Sequence, residues 1–333
     1  MCIITCQPPI RSEITNLNLM LKKTSLLNKL KAYDFVVILF YLFLTVLNII
    51  FFARLEHASK FIILNFLIIG CVLLLAYTAE TYRYKILRLL HYLYLIPLVL
   101  LTFKEIYYMI RPLRPYDYDQ LLIKIDRWMF GGDPTVFLSN YSHPIITEIL
   151  QIAYGLFYFL PIILAIALMK KRKFTEADFA VLTVIYGYFL SYLGYFTLPA
   201  IGPRFTLHDF HSKDLELPGL YLTNYLREIT NTVESVPPGT LNPAEIVQRD
   251  VFPSGHTMIT LVVIYLSVIL KSRSRFFIIP VGVLLIFATV YLRYHYVIDL
   301  IAGLVFMVFC VYTSPKIFNW WSRLTGRHLL KLE

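Results

Sequence analysis

A histidine placed four residues ahead of an aspartate, at the mouth of an apolar run, is a pair that can do chemistry. In this chain of 333 residues the pair is His295 and Asp299, within Tyr291-Leu292-Arg293-Tyr294-His295-Tyr296-Val297-Ile298-Asp299. Their spacing puts both side chains on one helical face. A carboxylate there can accept one imidazole N–H, fix the tautomer and leave the other ring nitrogen bare. A nucleophilic histidine needs that state. Asp299 also lies about one turn inside an otherwise apolar helix, where an ionisable group is costly and signals function by default. The competing account is a structural ion pair that steadies a helix end.

Two further stretches carry complementary chemistry. Pro253-Ser254-Gly255-His256 opens another apolar run. Proline suits the first position of a helix, and the exposed N–H groups behind it make an anion site. Gly255 lets an oxyanion approach the backbone, Ser254 adds a hydroxyl donor, and His256 can protonate a departing oxygen. Arg204, in Leu198-Pro199-Ala200-Ile201-Gly202-Pro203-Arg204-Phe205, follows a Gly-Pro turn, and its guanidinium can hold phosphate oxygens bidentately. Taken singly, a plain helix start and a surface arginine explain these two. Together the three stretches supply a nucleophile, its orienting acid, a proton donor and an anion cradle, the parts of covalent phosphoryl transfer.

The elements that must position them are membrane helices. The chain is 58% hydrophobic and 16% charged, against about a quarter charged in soluble domains, and the apolar residues fall into long blocks. Eight blocks of spanning length lie near 35–53, 61–77, 86–110, 145–169, 178–199, 254–271, 276–292 and 296–314. The fold class is therefore all-α, a polytopic transmembrane bundle of about eight spans. The net charge of +10 would suggest nucleic acid in a soluble protein. Here the basic residues cluster in short loops, so the charge reports topology, and no nucleic-acid partner is expected. Lys22, Lys23, Lys29 and Lys31, then Lys170–Lys173, Lys271–Arg275 and the tail from Lys316 all fall on one side. By the positive-inside rule both termini are cytoplasmic. Arg204, His256 and His295 then each sit at the outer end of a span, on the non-cytoplasmic face.

The outer loop 111–144 holds Tyr118 to Trp128, with Leu122, Ile125 and Trp128 at helical spacing opposite charged residues. An amphipathic helix in the interface is expected, anchored by Trp128 and Phe130. Cys2, Cys6, Cys71 and Cys310 suggest no disulfide framework and no metal site; neither metal nor other cofactor is expected. Residues 1–19 lack the apolar core of a signal peptide: either they are disordered, or Met20 is the true start.

These residues resemble the type 2 phosphatidic acid phosphatase superfamily. Pro-Ser-Gly-His at 253–256 is similar to its second motif, and His295 with Asp299 to the end of its third; the likeness spans roughly 86–314. It implies a six-helix catalytic core at 86–314, two additional helices at 35–85, a cytoplasmic N-terminal segment at 1–34 and a cytoplasmic tail at 315–333. It implies that His295 attacks phosphorus, that Asp299 orients it, and that His256 protonates the leaving alcohol. Arg204, Ser254 and the Gly255 N–H would hold phosphate oxygens. The third motif's usual Ser-Arg is Ala288-Thr289 here, and Arg293 is the candidate replacement charge. The first motif's lysine is absent near Arg204, and Phe205 replaces its proline. Lys104 and Arg111-Pro112 fit that motif's spacing literally but lie two spans too early.

The departures look like the branch of inositol phosphorylceramide synthases. The expected function is hydrolysis of a phosphomonoester or diphosphate lipid through phosphohistidine. One alternative is transfer of a phospho-headgroup to a lipid alcohol, with loop 206–250 as acceptor pocket; another is a non-catalytic lipid transporter or scaffold. The expected partners are a phospholipid or lipid-phosphate substrate and the bilayer, either a bacterial inner membrane or a eukaryotic endomembrane.

Overall fold

The computed structural model describes residues 26–82 and 84–331; the leader at 1–19 lies outside them. All regular structure among the described residues is helical. Helices α1 (Ala32–Ile50) and α2 (Ala58–Tyr82) come first, then α3 (Lys85–Leu93) running into α4 (Leu95–Leu113). Two short helices follow, α5 (Asp119–Phe130) and α6 (Pro134–Ser139). A bent pair, α7 (Pro144–Gly155) and α8 (Phe159–Lys170), precedes α9 (Phe174–Tyr195). The long segment 200–250 carries α10 (Pro203–Thr206), α11 (Lys213–Glu216), α12 (Thr223–Val233) and α13 (Pro243–Ile246). Last come α14 (Gly255–Ile269), α15 (Arg275–Tyr291) and α16 (Val297–Thr325).

Among the described residues, five helical stretches are long and apolar enough to cross a bilayer: α1, α2, the run 85–113, α9 and α16. The α7–α8 pair, bent by 57°, makes up to six. Two further apolar helices, α14 and α15, are shorter. The eight apolar blocks of the sequence fall on these helices, 86–110 and 145–169 each on a pair of them. The last extends well past residue 314, because Trp321 is buried, stacks on Phe35 with ring centroids 4.5 Å apart and donates to the Leu30 carbonyl at 3.1 Å.

The core lies where α9, α14 and α16 pack on one another, around Phe179, Met258, Val262 and Cys310. With no hydrophobic drive between helices in lipid, close packing at small residues and interhelical polar contacts must hold them. Helix α1 joins through Phe40, whose ring stacks on Phe189 at 4.1 Å. Glu105 of α4 accepts from Asn48 of α1 and Asn65 of α2, at 2.8 and 2.9 Å. Asp34 of α1 similarly meets His91 at 3.0 Å and Tyr94 at 2.8 Å.

One small residue sets the site directly. A Cβ on Gly303 of α16 would stand 2.8 Å from the Ser254 carbonyl oxygen and 3.3 Å from the Met258 nitrogen. Both are backbone atoms at the start of α14 and cannot swing aside. Gly303→Ala should therefore lower stability by about 1–3 kcal/mol, read as earlier thermal unfolding in detergent.

Candidate active site

The turn between α15 and α16 carries the first histidine. Arg293 adopts φ +69°, and the N–H groups of Tyr294 and His295 both donate to the Thr289 carbonyl, at 2.9 and 3.0 Å. His295 Nδ1 lies 2.9 Å from the Val251 carbonyl oxygen. A carbonyl only accepts, so Nδ1 carries the proton and Nε2 of the neutral ring is bare. Asp299 Oδ2 stands farther off, 3.4 Å from Nδ1, and accepts the Tyr296 N–H at 2.8 Å. The expected carboxylate thus shares the imidazole with a carbonyl that the sequence could not reveal. Burial pushes the His295 imidazole well below its ordinary range, with His256 and Arg204 acting in the same direction.

His256 lies in the first turn of α14. Ser254 caps that helix, its Oγ accepting from the Thr257 N–H at 3.2 Å, so the hydroxyl proton remains available to donate. The Ser254 N–H donates to the Asp299 carbonyl at 3.0 Å, which ties the two helix starts together. Gly255 is needed for space, since a Cβ there would meet the Tyr195 hydroxyl at 2.5 Å. The His256 ring packs on Tyr154 at 4.6 Å and Phe157 at 4.3 Å. Its centroid is 5.8 Å from that of His295. The two histidines are therefore neighbours.

Arg204 enters through a tight approach. Gly202 has φ +94°, and a Cβ there would stand 2.9 Å from the Tyr294 carbonyl oxygen; the next contact is the Arg204 N–H to the Arg293 carbonyl at 3.1 Å. The Arg204 guanidinium is buried. It donates to Asn231 at 3.0 Å, pairs with Glu234 and lies 4.9 Å from the Tyr294 ring. Arg293 is also buried, but its guanidinium pairs with Glu216 and donates to Ser139 Oγ at 3.0 Å. The literal first-motif lysine, Lys104, reaches the same region: its ammonium holds the Val233 carbonyl at 2.6 Å and Ser235 Oγ at 2.8 Å, beside Glu234.

A cavity of about 430 Å³ opens beside His256. Tyr154, Tyr188 and Tyr195 wall it, and the long segment 200–250 contributes Ile229, Glu234 and Asp250. Neither Glu234 nor Asp250 was singled out in the sequence, although Asp250 lies only six residues before His256. Asp119 and Asp126 of α5 were also missed. The helix is present, with Trp128 and Phe130 exposed. Its buried face, however, is Asp119, Leu122, Ile123 and Asp126, so the aspartates lie with the apolar residues rather than opposite them. Among the described residues no group of three or more His, Cys, Asp or Glu side chains is arranged to hold a metal.

Burial pushes the Asp250 carboxyl up to about 7, against the pull of Arg204. Between the ordinary aspartate range and that value, the folded protein keeps a proton that the unfolded chain has released. Its contribution to stability therefore falls as pH rises through this window. Asp250→Asn cannot ionise. From about pH 4 to about pH 7, wild type should lose thermal stability relative to this variant.

The sequence model of the PAP2 superfamily matches residues 120–313. No curated protein and no solved structure gives a match.

Proposed function

Since the chain belongs to the PAP2 superfamily, the type 2 phosphatidic acid phosphatases, we propose that it hydrolyses a lipid phosphate through a phosphohistidine at the non-cytoplasmic face of its membrane. The observation that carries this reading is the histidine pair: His295 with Nδ1 occupied by the Val251 carbonyl and Nε2 bare, beside His256 at a cavity wall. The His295 Nε2 lone pair attacks phosphorus. The P–O bond to the lipid alcohol breaks, and His256 gives its proton to the leaving oxygen. Water then attacks phosphorus, His256 takes its proton, and the P–N bond breaks to release phosphate. Asp299 and the Val251 carbonyl stabilise the positive charge that develops on His295. Arg204, Ser254 and the Gly255 N–H hold the phosphate oxygens. Arg293 turns toward Glu216 in the structure and would join them only by leaving that pair.

The same reading takes the apolar helices as eight spans, with 86–314 as the catalytic core, 35–85 as the two additional helices and 1–34 and 315–333 as cytoplasmic ends. The basic short loops support both termini being cytoplasmic.

One observation favours a second reading, transfer to an alcohol. Water does not need a cavity of about 430 Å³ beside the acid–base histidine. Half a dozen of its lining residues, from Leu226 to Asp250, come from the outer segment, where an acceptor pocket is expected. A phosphohistidine intercepted there by a lipid alcohol would yield a new phospholipid instead of phosphate.

Purified protein should release phosphate from phosphatidate, a sphingoid phosphate or a polyprenyl diphosphate. His295→Ala and His256→Ala should each lower the rate by about 10²–10⁴, and acid-labile phosphate trapped from labelled substrate should map to His295. Unchanged turnover in His295→Ala would sink the mechanism. The rate–pH profile should be a bell. Its acid limb, where His295 gains a proton, lies below the ordinary imidazole range because burial favours the neutral ring. Its alkaline limb follows loss of the His256 proton. Inositol phospholipid and ceramide, added together with mass-spectrometric readout, decide between the acceptors.

A further inference from the structure

Helix α5 contributes no group to the chemistry above, yet it touches both halves of the site. Asp119 in its first turn accepts the Gly202 N–H at 2.8 Å and the Ile201 N–H at 3.0 Å, two and three residues ahead of Arg204. The same carboxylate accepts the Tyr296 hydroxyl at 2.8 Å, the residue after His295. Two turns on, Asp126 accepts the Val297 N–H at 2.8 Å and the Ile298 N–H at 2.9 Å. Those are the first free donors of α16, the helix that carries Asp299. Both aspartates are buried, at 4% and 2% exposure. Leu122 and Ile123 between them are buried against Ala200, Val251 and Tyr296.

A single rigid helix thus holds the phosphate-binding arm, 201–204, and the nucleophile arm, 295–299, by charged acceptors on backbone donors. Such bonds are roughly twice as strong as neutral ones. The arginine arm is irregular where it is gripped, and the histidine arm is gripped at the first turn of α16, whose N–H groups have no partner within the helix, so both depend on this outside support. Residue spacing along α5 fixes the distance between the two grips, as 1.5 Å of rise per residue dictates.

We propose that Asp119 and Asp126 are positioning residues for phosphoryl transfer: α5 is a brace that sets the separation of the arginine arm and the histidine arm. This rests on the histidine-based reading above. Asp126 grips only the histidine arm, and Asp119 grips both, so their variants should differ. In the full-length protein, Asp126→Asn keeps shape but offers an N–H₂ where a backbone N–H needs an acceptor. It should lower kcat about tenfold or more and leave inhibition by inorganic phosphate within about twofold. Asp119→Asn should lower kcat similarly and also weaken phosphate inhibition by about tenfold. Tyr296→Phe, a milder change should either aspartate variant fold poorly, removes the hydroxyl that links Asp119 to the histidine arm and that also lies 2.6 Å from Thr206 Oγ1; because both Asp119 bonds to Ile201 and Gly202 remain, it should lower kcat with phosphate inhibition intact.

Hydrogen exchange of the amides gives a readout independent of turnover. Exchange at Ile201 and Gly202 should rise in Asp119→Asn, and at Val297 and Ile298 in Asp126→Asn. Variants with reduced yield or thermal stability, but wild-type kcat and phosphate inhibition per folded molecule, would show a merely structural role and overturn the proposal. Should wild type itself form no phosphohistidine, the reading of the site fails instead. In that case the exchange pattern still decides whether the brace exists.

Discussion

Helix ends leave backbone donors without partners, and at membrane depth no bulk water is present to take them. The N-terminal ends of α14 and α16 meet this constraint with protein groups rather than solvent. Tyr296, Val297 and Ile298 give their N–H groups to the carboxylates of Asp299 and Asp126. Ser254 takes the Thr257 N–H, and its own N–H goes to the Asp299 carbonyl. Every group proposed to react is suspended from these contacts. Asp299 sits at their junction, capping its own helix with the oxygen nearest to His295 and anchoring the neighbouring helix with its carbonyl.

Around that junction, aromatic rings form a column that carries the cationic groups. Tyr154 stacks on His256 at 4.6 Å and on Tyr294 at 4.5 Å. On Tyr294 in turn lie Arg204 and the buried Lys213, the latter 4.5 Å from the ring. Burying this much positive charge is tolerable only where each ion has a counter-charge or a π face. The segment 206–250 supplies them: Glu234 for Arg204, Glu216 for Arg293 and Asp214 for Arg227. The long loop is therefore part of the electrostatics of the site as well as its cover. A phosphate entering it competes with carboxylates already in place.

Much of this was legible in the sequence for a physical reason. Apolar length marks a span, and a polar residue inside such a stretch is too costly to be casual, so His295, Asp299 and Pro253–His256 stood out. Arg204 could be placed because a Gly-Pro turn opens directly onto the loop before Pro253. What stayed hidden depends on contacts between distant segments. No pattern announces that the Val251 carbonyl accepts the His295 Nδ1–H, or that Glu234 lies on Arg204. Asp119 and Asp126 misled in a specific way. On an amphipathic helix, charge normally marks the wet face. Here the carboxylates are turned inward because other helices need acceptors for their N–H groups, a demand that α5's own sequence does not contain.

The break between α7 and α8 shows how fold and cavity are tied. An uninterrupted helix across 144–170 would curve only gently. The pair instead bends by 57° within a few residues, and Tyr154 and Phe157, on either side of the start of the break, hold the His256 ring between them. Past the bend, Phe159 lines the same cavity as Leu226 and Ile229 of the segment 206–250. Irregular backbone at membrane depth is tolerated where it lines a cavity or is buried in protein. The cost of interrupting that helix is thus offset where the break lines the cavity beside His256. The same bend gives the chain both a gripped imidazole and the room beside it.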